Sequence, residues 1–266
     1  MPEPYDFELS TARFRRWGRD LANLWDDGAV WRAVDGKEVR IAPARGGVDV
    51  APLDARTAAV VRKLLGAEFD LDSFEAFATT EPVLAQIVPT MRGLRPPLAP
   101  DPFEALVTSI TAQQVSLHAA FAIRSRFVER FGIRSGRAWS FPARERVAAA
   151  DEPELAALGF SRRKAEYVVG LARSDLDLDT LAALPDAEVK ERLVALRGIG
   201  EWTAEWFLAR HLARPRAWPV GDIGLRKAVI HFYGDADERV ARPRFEPFEN
   251  LSAHYLLGAL YAGVDS

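Results

Sequence analysis

Hydrophobic positions repeat at two different periods along the chain, and the change of period divides it. Over residues 8–26, Phe14, Trp17, Leu21, Leu24 and Trp25 fall on one stripe, which predicts an amphipathic helix. Three short alternating segments follow at 29–33, 37–43 and 47–52, separated by the turn dipeptides Asp35-Gly36 and Gly46-Gly47. That alternation predicts a small antiparallel sheet. Helices over about 54–66 and 73–79 complete an α+β module spanning residues 1–91, which contains no catalytic constellation.

From residue 92 the pattern becomes helical. The run Arg92-Gly93-Leu94-Arg95-Pro96-Pro97-Leu98-Ala99-Pro100 interrupts periodicity and reads as a join between subdomains. Asp101-Pro102-Phe103 then opens a helix, with aspartate at the cap and proline in the first turn. Leu106 and Ile110 carry it to the polar interruption Gln113-Gln114-Val115-Ser116, and Ala119, Ile123, Phe127 and Phe131 define the helix beyond. Residues 142–173 are helical again, broken at Leu158-Gly159-Phe160-Ser161. Ser161 can cap a helix whose first turn carries Arg162, Arg163 and Lys164, placed either for phosphate contact or for packing. The expectation is a mainly α protein in three parts: the module 1–91, a helical domain 92–234, and a C-terminal segment 235–266 packing back on it.

Leu196-Arg197-Gly198-Ile199-Gly200-Glu201-Trp202-Thr203-Ala204 lies between two helical patterns, Val189, Leu193 and Leu196 before it and Trp206, Phe207 and Leu208 after. Two helices therefore meet across a short hairpin. Gly198 and Gly200 allow positive φ and turn main-chain N–H groups outward at the start of the second helix, where the dipole favours an anion such as a phosphate. A glycine cap followed by a tight turn would give the same string. Asp222 follows Gly200 by 22 positions, in Trp218-Pro219-Val220-Gly221-Asp222-Ile223-Gly224-Leu225-Arg226-Lys227, and reads as the N-cap of the next helix.

The hairpin string and its downstream aspartate together resemble the helix-hairpin-helix DNA glycosylase superfamily, with Arg197 in place of its usual proline. Ile110-Thr111-Ala112-Gln113-Gln114-Val115-Ser116 resembles the Ile-x-x-Gln-Gln-Val-Ser signature of the AlkA-type 3-methyladenine glycosylase branch. Residues 1–91 resemble the N-terminal domain of that branch more weakly. At Phe245-Glu246-Pro247-Phe248-Glu249-Asn250 the chain keeps the aromatic and proline frame of the family's Trp-x-Pro-x-Arg-Ser pattern and loses its Arg-Ser part. The resemblance implies two helical subdomains flanking a DNA-binding cleft.

It also implies roles. Asp222 is the catalytic carboxylate, and Trp202 and Trp206, four apart on one helical face, line the base pocket. Gln113, Gln114, Val115 and Ser116 meet the minor groove, with Gln114 filling the gap left by an extruded nucleotide. Arg197, Gly198, Ile199, Gly200 and Thr203 grip the backbone, helped by a monovalent cation, Na+ or K+, on the carbonyls of Val194, Leu196 and Ile199. The implied activity is removal of alkylated purines, whose cationic rings an indole face attracts. Lyase members carry a lysine at the second residue after the last hairpin glycine. Trp202 stands there, so a monofunctional enzyme leaving an abasic site is implied. Two alternatives remain open at this point: a glycosylase for oxidised bases, and a non-catalytic hairpin protein that binds DNA structures.

Composition adjusts this picture. A formal charge of −3 does not advertise a nucleic-acid binder, but basic residues outnumber acidic ones within 124–173 and 196–234, around the hairpin. The absence of cysteine excludes disulfides, thiolate metal sites and the four-cysteine iron–sulfur cluster of the endonuclease-III-like branch. No catalytic cofactor is expected. Residues 1–7 have no basic stretch leading into an apolar core, and no run approaches 18 apolar residues. A soluble, cytoplasmic monomer, nucleoid-associated if bacterial, acting on double-stranded DNA with alkylated bases, away from any membrane, is the expectation.

Overall fold

The computed structural model describes residues 1–234 and 237–264. Its first helical turns are short. The Asp6 side chain accepts from the Leu9 N–H at 2.8 Å to start the helix Phe7–Thr11, and Arg13–Arg16 follows. The chain then leaves helical geometry at Gly18, at φ +117°. The predicted helix over 8–26 is therefore broken, and Leu24 and Trp25 lie in a strand. Two local interactions outweigh the helical stripe. The Asp20 carboxylate accepts from the N–H groups of Ala22 and Asn23, closing a turn, and Leu24–Asp26 gains a ladder with its neighbour.

The sheet thus has four strands instead of three: β1 (Leu24–Asp26), β2 (Ala29–Val34), β3 (Lys37–Ala44) and β4 (Gly47–Ala51), antiparallel and in sequence order. Asp27-Gly28 and Asp35-Gly36 turn its first two hairpins with both residues at positive φ, the geometry that matches strand twist. Val30 faces Ile41 across β2 and β3. Both belong to a core with Phe7, Phe14, Val39, Val61 and Leu64, the last two from the helix Ala55–Leu64.

The cores do not divide at residue 91. Helices Leu71–Ala78 and Pro82–Thr90 join the larger helical core, because their aromatic partners lie near the other end of the chain. Phe74 and Phe77 meet the Phe248 ring at 5.9 and 5.2 Å, and Phe74 meets Tyr255 at 4.9 Å. The C-terminal helix Glu249–Ala262 supplies Tyr255, whose hydroxyl donates to the Leu94 carbonyl. Of the segment expected at 235–266, residues 235, 236, 265 and 266 lie outside those described.

The run 92–100 threads between the two cores instead of hanging free. Buried Arg95 donates to the Phe69 carbonyl at 2.6 Å, and the Ala99 N–H to the Arg210 carbonyl at 2.8 Å. Below it, the helix Pro102–Ala112 is capped by Asp101 and buried along most of its length. Its Glu104 is the centre of a buried charge network. Arg32 of β2 and Arg124 of the helix Leu117–Phe131 both pair with it, Arg124 also pairs with Asp20, and Arg32 donates to Asn23. Burial pushes the Glu104 carboxyl up, but the two guanidiniums outweigh it and hold it below its usual range. This network ties the sheet to the helical body, since a buried carboxylate flanked by two buried arginines is tolerable only while all three stay together.

The stretch predicted as helical over 142–173 resolves into Arg144–Ala148, Glu152–Ala157 and Arg162–Arg173. The last two are capped by Asp151 and Ser161. Ahead of them, Arg134–Ser135 and Ala138–Trp139 form a small hairpin whose Ser135 hydroxyl donates to the Gly36 carbonyl. Among the described residues no helix is long and apolar enough to cross a membrane.

Candidate active site

The site is assembled around the helix Glu201–Arg210, whose N-cap is Gly200 and whose first turn has no side-chain cap. It follows the helix Asp186–Val194 after a turn in which the Ile199 N–H donates to the Leu196 carbonyl at 3.1 Å. The two hairpin glycines serve different ends. Gly198 sits at φ +90°, and a Cβ there would lie 2.1 Å from the Tyr167 ring, so backbone strain and close packing both demand glycine. Gly200 has an ordinary φ of −101°, and a Cβ there would meet nothing within 4 Å. Among the described residues nothing requires glycine at 200. The expectation of positive φ thus holds for Gly198 and fails for Gly200.

Gln113 locks the hairpin to the end of the helix Pro102–Ala112. Its Nε2 donates to the Gly198 carbonyl at 3.0 Å and to the Thr203 hydroxyl at 3.1 Å. Lys164, buried, donates to the Thr111 carbonyl at 2.8 Å and fixes the same turn from the other side. Several residues expected at a DNA surface are therefore internal. Thr203 and Ile199 are buried, Gln113 is spent on the hairpin, and Lys164 points inward while Arg162 and Arg163 face solvent. The physical reason is shared. Gly198 lets the hairpin pack so closely on its neighbours that the side chains facing it become packing and hydrogen bonds. The exposed remainder is Gln114, at φ +53°, with Val115 and Ser116, the last capping the helix Leu117–Phe131 through the Ala119 N–H. Arg197 is exposed as well, paired with Glu166 at 3.2 Å.

Asp222 stands at the N-terminus of the helix Ile223–Tyr233. Its Oδ1 accepts from the Leu225 N–H at 2.9 Å, the expected cap. Its Oδ2 accepts from both indole N–H groups of the hairpin helix, Trp202 and Trp206, each at 3.0 Å. Three donors on two oxygens fix the carboxylate's plane and turn it toward a cavity of about 1140 Å³. Gln114, Gly200, Trp202, Trp206 and Asp222 all line that cavity.

The sequence resembles its relatives along the elements that build this cavity. A model of the HhH-GPD superfamily of base excision DNA repair proteins matches residues 107–249. The chain belongs to this superfamily. Its AlkA-type character appears in a DNA-3-methyladenine glycosylase of Bacillus subtilis, 33% identical over 193 residues, 68% of this chain and 64% of that protein. The chain thus spans somewhat less than two thirds of that relative. A 3-methyladenine DNA-glycosylase from Archaeoglobus fulgidus superposes with a TM-score of 0.87 at 25% identity, covering 98% of this chain and 96% of that one. An 8-oxoguanine glycosylase/lyase from Clostridium acetobutylicum, bound to double-stranded DNA, reaches a TM-score of 0.82 at 17% identity and shows the shared fold alone.

Within this superfamily fold, the two tryptophans expected to stack on a base divide their roles. Trp202 is half-buried at the cavity. Trp206 is 3% exposed, and the Arg210 guanidinium carbon sits 3.4 Å from its ring centroid. Its face is already occupied and its N–H is committed to Asp222, so Trp206 positions the carboxylate and offers no open platform. The opposite wall lies outside every motif of the sequence. Trp17 enters from the N-terminal segment and packs edge-on against Tyr261 of the last helix at 5.0 Å and against His118 at 5.3 Å. Arg13 and Arg210 also line the cavity. Arg210 alone carried a signal, since it continues the Trp202, Trp206 spacing by four more positions. The Phe245–Asn250 frame is structural: Phe245 stacks on Trp218 at 5.2 Å, Glu249 lies 3.6 Å from Arg216, and Asn250 donates to the Ala209 and Arg214 carbonyls.

Proposed function

We propose that this protein is a monofunctional DNA glycosylase that turns alkylated purines of the 3-methyladenine and 7-methylguanine type out of double-stranded DNA and hydrolyses their glycosidic bond. The observation that carries this reading is the Asp222 carboxylate, held by Leu225, Trp202 and Trp206 at the wall of the cavity beside the glycine hairpin. Base removal leaves an oxocarbenium-like sugar, and a fixed carboxylate stabilises that charge or takes the proton of the attacking water. The nucleotide must leave the stack first, at a cost of a few kcal/mol, least for damaged pairs.

Gly198 shapes the hairpin, and Gly200 leaves the first N–H groups of the next helix open to a backbone phosphate, a grip without sequence preference. Gln114, held at positive φ on the rim, is the candidate to fill the vacated place in the duplex. A monovalent cation on the carbonyls of Val194, Leu196 and Ile199 would join the hairpin to the phosphate when DNA binds, and no cofactor is assigned to the chemistry. Trp202 at the position of the lyase lysine supports hydrolysis without strand cutting. The protein is read as a monomer acting in the cytoplasm on chromosomal DNA. The test is incubation with duplexes carrying single lesions, with the released base read by chromatography and borohydride trapping alongside. Failure to release either alkylated purine refutes the reading, and a trapped covalent adduct refutes the monofunctional part.

A further inference from the structure

The rim of the cavity on its Tyr261 side carries cations that the molecule does not neutralise. Elsewhere in the N-terminal module Arg15, Lys37, Arg40 and Arg56 each pair with a carboxylate. Arg16 and Lys227 are exposed and line the cavity, and among the described residues neither meets a carboxylate. The acidic side chains that line it are spent. Asp20 and Glu104 are tied to Arg124 and Arg32, and Asp222 is held by its three donors.

The two cations come from distant parts of the chain and share one stretch of rim. The Arg16 guanidinium carbon lies 5.9 Å from the centroid of the Tyr261 ring. The Tyr261 hydroxyl in turn rests on the backbone of Gly224, where a Cβ would lie 2.8 Å from it. Lys227 follows Gly224 by one helical turn, on the exposed face that begins at Ile223. Arg16 is also held in place from behind, because its neighbour Trp17 packs edge-on against both Tyr261 and His118. A guanidinium resting on an aromatic face keeps its N–H edge open to an acceptor and has little freedom left to lose. Deeper in the same cavity, Arg13 lies over the Phe121 ring at 5.7 Å.

We infer that Arg16 and Lys227 form a second grip on the damaged strand, taking backbone phosphates beside the extruded nucleotide on the Tyr261 side of the cavity. The inference rests on the glycosylase reading and names how the same site holds its DNA. A phosphate diester fits this rim because it is charged at every working pH, and exposed cations that bind it release the counterions condensed on the duplex. The hairpin offers main-chain N–H groups on one side of Asp222, and this rim offers side-chain charge on the other. Held at both sides, the strand between is brought over the carboxylate, and the two contacts offset part of the cost of taking the nucleotide out of the stack. Phosphates on the rim also neutralise its charge, so these cations do not oppose the entry of a cationic alkylated purine.

Fluorescence anisotropy of the full chain on a duplex carrying a tetrahydrofuran abasic analogue, repeated across a salt series, tests this. Each phosphate contact contributes about 0.9 to the slope of log affinity against log salt. Arg16→Gln and Lys227→Gln should each flatten the slope by about that amount, and each should weaken binding by up to about fivefold at physiological salt, as for an exposed ion pair. Arg16→Lys and Lys227→Arg keep the charge and should keep the slope. Arg45→Gln, in the exposed turn between β3 and β4 and away from the cavity, should bind as wild type does. An uncharged methylphosphonate placed in turn at each phosphate flanking the analogue locates the contact: at one position it should weaken wild type yet cost Arg16→Gln nothing further. Unchanged slopes in both glutamine variants overturn the inference. So does an equal flattening by Arg45→Gln, or methylphosphonate effects that add to Arg16→Gln at every position. A wild type that gives the expected slopes but releases neither alkylated purine fails the glycosylase reading and leaves the grip standing.

Discussion

Replacing Asp222 by asparagine removes one charge and turns one acceptor oxygen into a donor, at a carboxylate that uses both oxygens. If the amide oxygen stays on Leu225, the indole N–H groups of Trp202 and Trp206 face an NH2 group. Two orphaned, largely buried donors cost about 1–3 kcal/mol each. If the oxygen instead takes both indoles, only the helix cap is lost, at about 0.5–2 kcal/mol. The second orientation wins. The variant should therefore fold, with its melting temperature lowered by several degrees at roughly 2–4 °C per kcal/mol for a chain of this size.

Its excision rate should fall about 100- to 1000-fold, since a preorganised charge at the developing cation has been removed. Base release under single-turnover conditions measures the rate, and differential scanning fluorimetry measures the stability. Wild-type excision by Asp222→Asn would refute the catalytic assignment. An unshifted melting temperature together with lost activity would refute the three-donor geometry while leaving the chemistry standing.

Three further outcomes follow from other parts of the structure. Gly200→Ser should raise stability by a few tenths of a kcal/mol, because serine caps a helix better than glycine, yet weaken binding to abasic duplex by occupying the N–H that a phosphate would take. Equal affinity by fluorescence anisotropy would remove the hairpin grip. Glu104→Ala leaves Arg32 and Arg124 buried without their shared partner and should cost about 3–5 kcal/mol in urea unfolding; a loss below about 1 kcal/mol would show that the network does not hold the sheet to the helices. Burial lowers His254 to about 3 and His211 to about 4, so between those values and about 6.5 the unfolded chain binds protons that the native one does not. Stability should therefore fall as pH drops below about 6.5, by about 1.4 kcal/mol per pH unit for each histidine. His254→Gln should flatten that slope by one such increment, and an identical slope in the variant would contradict a neutral buried imidazole.

Local chemistry was legible in the sequence wherever a residue acts through its own neighbours. Asp101, Ser161 and Asp222 announce helix starts because a cap bonds N–H groups only two or three residues on, and all three do so. Asp35-Gly36 announces its hairpin for the same reason, since the turn needs only those two residues at positive φ. The hydrophobic stripe at 8–26 misled because a helical period says nothing of a competing ladder, and β2 lies within reach of Leu24–Asp26.

The hairpin motif and its aspartate, the family they belong to and the cysteine-free chemistry were thus determined by sequence alone. Only the tertiary structure decided that Trp206 holds Asp222 instead of stacking on a base, that Gln113 and Thr203 bond to each other, and that Trp17, Arg13 and Tyr261 close the cavity from both ends of the chain. Those pairings span from 16 to more than 200 residues of sequence. No periodicity or spacing encodes them, because they arise when separately folded elements are pressed together by burial of their apolar faces, and the polar groups caught between must then find partners wherever the packing has put them.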